Sequence, residues 1–202
     1  MSPPLYNYRL AADKMMENID QFWEDDDGER MRKASNAYDD SILTLADAIR
    51  FALVTPDEYD VSLRARTERV NAWCRQLGKR NVCLVSIHTN AAGNGKQWMN
   101  VRGWTCYTSK GQTAGDQLAD CLYQAAALWL PGHKLRKDYS DGDPDRESDF
   151  YILKNTLCAA ALTENLFHDN SDDCLFLESD EGRRAIVALH VEGIVNYVLR
   201  RY

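Results

Sequence analysis

Two unbroken apolar runs constrain this chain more than any other feature: NVCLVSIH at 81–88 and CAAALTE at 158–164. A continuous β-branched and apolar run of this length, entered from a helix, reads as a strand buried on both faces of a parallel sheet. NVCLVSIH ends in His88, and the second run is a short buried strand ending at Glu164.

The segments around these runs are helical or strand-like in turn. After a turn at Thr55-Pro56, VSLRARTERVNAWCRQLG puts Val61, Leu63, Val70, Trp73 and Leu77 on one helical face and stops at Gly78. VRGWTCYTS alternates with period two and reads as another strand, and GQTAGDQLADCLYQAAALWL is a helix with a strongly apolar face. PGHKLRKDYSDGDPDRESD is a long polar loop, of the kind that usually carries function. A final helix opens at the Ser179 cap and runs to the C-terminus. Strands alternating with helices predict an α/β fold: a three-layer domain with a mostly parallel twisted sheet flanked by helices.

The first forty residues differ from the rest, being rich in Asp, Glu, Met and Asn and carrying the acidic run WEDDDGER. Residues 1–40 are expected to form an atypical acidic segment, helical through LYNYRLAADKMMENIDQFW, ahead of a main domain over 41–202. A second helix is expected through SILTLADAIRFAL, capped by Asp39 or Asp40.

Composition bounds the partners. With 202 residues and 45% apolar content the chain is long enough for one compact domain with its own core. A formal net charge of -7, with no face enriched in Lys and Arg, points away from nucleic acid. The apolar runs are too short to span a bilayer, and MSPPLYNYRL lacks a basic stretch followed by an apolar core, so synthesis in the cytoplasm is expected. Six scattered cysteines with no C-x-x-C pair are expected to be reduced and structural, and the protein to be a monomer.

In open α/β sheets ligands bind at the carboxyl ends of strands, and two strands here end in groups that do chemistry, His88 and Glu164. A neutral imidazole is a zinc ligand, and a nearby glutamate can take a proton from water and pass it to a leaving amine. The pair suggests metal-assisted hydrolysis of an amide. A lone strand-end histidine or glutamate is more often a hydrogen-bonded structural residue, so spacing alone leaves that alternative open.

From about Phe51 onward, SIHTNAAGNG, ALTENLFHDN and FLESDEGRRAIVALHVEGIVNYV together resemble the zinc-dependent N-acetylmuramoyl-L-alanine amidases of the type 3 class. The resemblance implies that His88 is a zinc ligand, that Glu164 is the catalytic acid/base, and that Asn90 shapes the substrate site. It further implies zinc as cofactor and peptidoglycan as partner, reached after export or during lysis, with the amide between N-acetylmuramic acid and L-alanine as the bond cleaved. YSDGDPDRESDFYILKNT resembles the family's substrate-groove region.

The chain also departs from the family, whose members open with a G-H-G histidine as a second ligand and a following glutamate as the third. Here there is no G-H-G, and the histidines are His88, His133, His168 and His190. Glu29 sits in a context loosely like that of the family glutamate, His168 is a candidate substitute ligand, His133 reads as solvated and His190 as packed mid-helix. The departure supports a second reading: an amidase fold that has lost its metal and at most binds wall fragments.

Overall fold

The structure, a computed structural model, describes residues 49–56 and 59–201. The chain divides into two compact units, 1–53 and 54–202. In the first, residues 49–53 carry no helix, so the helix expected through SILTLADAIRFAL does not reach Leu53. Phe51 and Leu53 are exposed there, and a helix without a buried face is marginal in water. The rest of that helix and the one expected at 5–23 lie outside the described residues.

In the second unit, α1 (Leu63–Leu77) starts where the Ser62 hydroxyl accepts the Ala65 N–H, and it ends at Gly78, whose φ of 87° suits glycine. A 3-10 turn (Lys79–Asn81) then delivers the chain into β1 (Cys83–Asn90). β2 (Thr105–Thr108) is followed by α2 (Ala114–Trp129), which opens with a capping box between Thr113 and Asp116. After these come β3 (Arg146–Glu147), the single turn α3 (Tyr151–Lys154), β4 (Ala159–Phe167), α4 (Ser171–Glu178) and α5 (Asp180–Leu199). The Ser179 hydroxyl caps α5 by accepting the Gly182 N–H, as the sequence predicts.

The described strands form one sheet in the order β1-β4-β2-β3. β1 runs parallel to β4 and β2 parallel to β3, while β2 and β4 are antiparallel, so the mixed sheet is mostly parallel. α2 and α5 cover one face, where Trp104, Leu118, Leu122, Leu166 and Leu189 are buried together. α1 and α3 cover the other, packing Val70, Cys74, Ile152 and Leu153 against Leu84, Ala160 and Leu162. The two helices of the first face pack closely because residue 193 is glycine: a Cβ there would stand 2.8 Å from Leu122 Cδ2. All six cysteines are free, three of them buried.

Several strand expectations need correction. β1 is not buried on both faces: it pairs only with β4 among the described strands, and Leu84 is buried while Ile87, His88 and Thr89 are exposed. Its apolar character serves the half that α1 covers. β4 does not end at Glu164 but continues to Phe167 as a central strand, because both faces stay covered along it. The long polar loop after α2 contains β3, and it is pinned to the sheet, since Trp104 N–H donates to Lys134 O at 2.8 Å and Arg136 N–H to Trp104 O at 2.8 Å.

Candidate active site

Side chains two apart on a strand share a face. Leu84 of β1 and Ala160 and Leu162 of β4 pack together on the α1 side, so His88 and Glu164 fall on that same side. They are also direct partners in the parallel register, His88 opposite Glu164, on neighbouring strands about 4.8 Å apart. The structure therefore brings the two residues together, near the carboxyl ends of adjoining strands, where α/β sheets bind ligands.

The surroundings tune both groups. His88 Nε2 lies 2.9 Å from the Ser86 hydroxyl. Loss of water around the ring, and then the charge of Arg66 on α1, hold the imidazole below its usual pKa and so favour the neutral form. Glu164 is half-buried, and that burial raises its pKa, with nearby His168 pulling the other way. Its Oε2 is buried without a hydrogen-bond partner. A carboxyl that holds its proton more tightly and keeps one oxygen free is suited to proton transfer.

Just past the pair the register slips: β1 advances from His88 to Asn90 while β4 advances from Glu164 to Phe167, which leaves one extra residue on β4. Bulges of this kind re-aim side chains next to functional sites. Leu166 makes the turn with a φ of 64°, a left-handed conformation that costs a non-glycine residue about 1–2 kcal/mol. Its side chain is fully buried, which returns roughly 1.5–3 kcal/mol and keeps the strained turn in place.

The remaining candidates lie at differing distances from the pair. Asn90 uses its side-chain oxygen to accept the Ala91 N–H at 2.9 Å, and its carbonyl accepts the His168 N–H at 3.0 Å, so it shapes the loop entry. His168 is exposed, with Nδ1 3.4 Å from the Thr89 hydroxyl. His133 is not a freely solvated side chain, since its ring lies 4.2 Å from that of Phe176. His190 is buried in α5, as expected of a packed residue. Glu29 lies outside the described residues.

Sequence reasoning missed the segment that holds the glycine-rich loop. Buried Asp169 accepts the backbone N–H groups of Ala92 and Gly93 on one oxygen, at 2.8 and 2.7 Å. Buried Asp173 accepts those of Gly103 and Phe167, at 2.9 and 3.0 Å. Asn170 caps α4 and donates to Met99 O. Only the helix start was legible in DNSDD, since an Asn cap followed by acidic residues in the first turn marks one; the bonds to the loop were not. Replacing Asp169 by Ala is expected to lower unfolding free energy by about 2 kcal/mol and to strip exchange protection from the Ala92 and Gly93 amides. Asp172→Ala, which removes only an exposed pair with Arg102, should stay within about 0.5 kcal/mol in the same urea titration.

The donor set can be tested against a metal. Catalytic zinc takes three protein ligands and a water. Among the described residues no group of three or more His, Cys, Asp or Glu side chains could hold a metal ion. His88 and Glu164 supply an imidazole and a free carboxylate oxygen, which falls short of a complete zinc site.

Comparison with known proteins decides the family. The family profile described as N-acetylmuramoyl-L-alanine amidase matches residues 40–196, more than half of the chain. The chain belongs to the N-acetylmuramoyl-L-alanine amidase family. Within this amidase family it is 29% identical over 157 residues to the endolysin of Bacillus phage SPP1, a match covering 76% of the chain and 52% of the endolysin. The chain thus spans about half the length of that relative. The fold is shared with the catalytic domain of the amidase CwlV from Bacillus (Paenibacillus) polymyxa var. colistinus, at 18% identity and a TM-score of 0.60, covering 78% of this chain and 77% of that one. The amidase AmiC2 of Nostoc punctiforme matches at 23% identity and a TM-score of 0.60, over 79% and 78% of the two chains.

Proposed function

We propose that this amidase-family chain is a peptidoglycan hydrolase that cleaves the amide between N-acetylmuramic acid and L-alanine of the stem peptide, reaching the wall after export or during lysis. The observation that carries the reading is the in-register pairing of His88 with a half-buried Glu164 whose Oε2 is free. In the reaction a water oxygen attacks the lactyl carbonyl carbon and the C–N bond breaks. Glu164 takes the water's proton and delivers it to the departing L-alanine nitrogen, while Asn90 shapes the approach to the pair. We also propose His88 as one ligand of a zinc ion. Among the described residues no group of three His, Cys, Asp or Glu side chains completes a zinc site, so no step is assigned to the metal.

The missing G-H-G motif favours a second reading, an amidase fold that binds wall fragments without cutting them. Incubation with purified cell walls separates the two. Hydrolysis should release new L-alanine amino ends without new reducing sugar ends, from protein that carries about one zinc per chain. Co-sedimentation with walls that stay intact, by zinc-replete protein, would overturn the enzyme reading in favour of the second.

A further inference from the structure

Behind the proposed pair, on the opposite face of the sheet, four buried side chains and two backbone carbonyls form a polar chain whose donor directions can all be assigned. Trp104 Nε1 lies 2.7 Å from Asn165 Oδ1. An indole N–H only donates, so this oxygen must be the acceptor and the amide nitrogen must face the other way. That nitrogen donates to the backbone carbonyl of His88 at 2.9 Å and to the Thr163 hydroxyl at 3.2 Å. The Thr163 hydroxyl lies 2.8 Å from His190 Nε2, and His190 Nδ1 lies 2.6 Å from Ile186 O. A carbonyl only accepts, so Nδ1 carries the proton, Nε2 accepts, and the Thr163 hydroxyl donates to it. Asn165 uses both of its N–H groups and its carbonyl oxygen in this chain, and it is 1% exposed.

The chain therefore runs from α5, through β4, to the main-chain carbonyl of His88 on β1. It acts where the ladder is weakest: the regular β1–β4 pairing breaks immediately after His88, and β1 has no second described strand beside it. The Asn165 amide adds a side-chain bond to the His88 carbonyl right beside that break.

We propose that Asn165 is a positioning residue for His88, and that Thr163 and His190 fix the direction of its amide. It touches no reacting atom; it holds the His88 backbone, and with it the spacing to Glu164 on the far side of the sheet. This inference rests on the reading of His88 and Glu164 as the working pair.

The test uses the full chain with two near-isosteric substitutions. Asn165→Asp keeps the acceptor for Trp104 but removes both donors, and Thr163→Val removes the hydroxyl that links Asn165 to His190. With folding checked by circular dichroism, each should lower kcat on wall fragments about tenfold, with KM within about twofold of wild type. In heteronuclear NMR the His88 ring signals should be single and sharp in the wild type and should broaden or split in both variants, while the Trp104 indole N–H reports whether the chain is broken. A shifted indole signal with unchanged His88 ring signals and unchanged kcat would overturn the proposal. A wild type that cuts no wall, yet shows the NMR changes on substitution, would sink the enzymatic reading and leave the positioning role standing.

Discussion

Replacing Glu164 by Gln is expected to lower release of L-alanine ends from cell walls on the order of a thousandfold, with the protein still folded. Gln keeps the shape and the hydrogen-bonding reach of the side chain but cannot carry a proton from water to the departing nitrogen. The loss should appear in kcat, since the proton moves only once the amide is being broken, and KM should change little. Burial that raises the carboxyl pKa makes the carboxylate a stronger base toward the water's proton, and Oε2 has no competing partner. Unfolding free energy measured alongside should stay within about 1 kcal/mol of wild type, since the replaced group is half-buried and makes no ion pair among the described residues. A Gln variant that retains a tenth of the activity would remove Glu164 from the mechanism.

Acid stability is the second large effect, and it involves two buried groups of opposite sign. Burial holds the His190 imidazole down to about 4, against about 6.5 unfolded. Between those values the unfolded chain binds a proton that the folded chain refuses. Stability from this group is thus complete above pH 6.5 and falls by roughly 3 kcal/mol on going down to pH 4. Asp145 works in reverse. Burial pushes its pKa up to about 7, while the donating Thr108 hydroxyl, 2.5 Å away, pulls it down and neighbouring Asp143 pushes it further up. Its folded form holds a proton that the unfolded form releases, so its contribution is complete below about pH 4 and is lost as pH rises through 7. The two terms offset each other between pH 4 and 6.5. Asp145→Asn keeps an oxygen for the Thr108 hydroxyl and removes the titration. Urea unfolding from pH 4 to 8 should then show stability falling more steeply with acid in this variant than in the wild type. Adding His190→Gln should remove most of that slope. An Asp145→Asn profile no steeper than the wild-type one would contradict the assignment.

Much of the fold was legible in the residues. The helical face from Val61 to Leu77, its stop at Gly78, the alternating strand after Gly103 and the cap at Ser179 are local signals, set by backbone geometry and side-chain period. The runs NVCLVSIH and AAALTE also placed His88 and Glu164 on strands, although β1 continues to Asn90 and β4 to Phe167 beyond them. Strand burial could not be read in the same way. NVCLVSIH looks more buried than CAAALTE by composition, yet it lies at the edge among the described strands while the alanine-rich run is central. Alanines are what a central strand needs when helices press on both faces, and that depends on neighbours supplied from elsewhere in the chain.

The apolar runs put a histidine and a glutamate on strands, because that pattern depends on residues only a few positions apart. Whether the two would face one another depended on strand order and register, which join residues 76 positions apart in the chain and are fixed by how the helices pack. Asp169, Asp173 and Asn165 were invisible for the same reason. Their partners at Ala92, Gly103 and His88 come from a distant loop or strand, and an isolated Asp or Asn in sequence reads as a surface residue. Only the folded chain, by burying those side chains, turns them into the groups that hold the site in place.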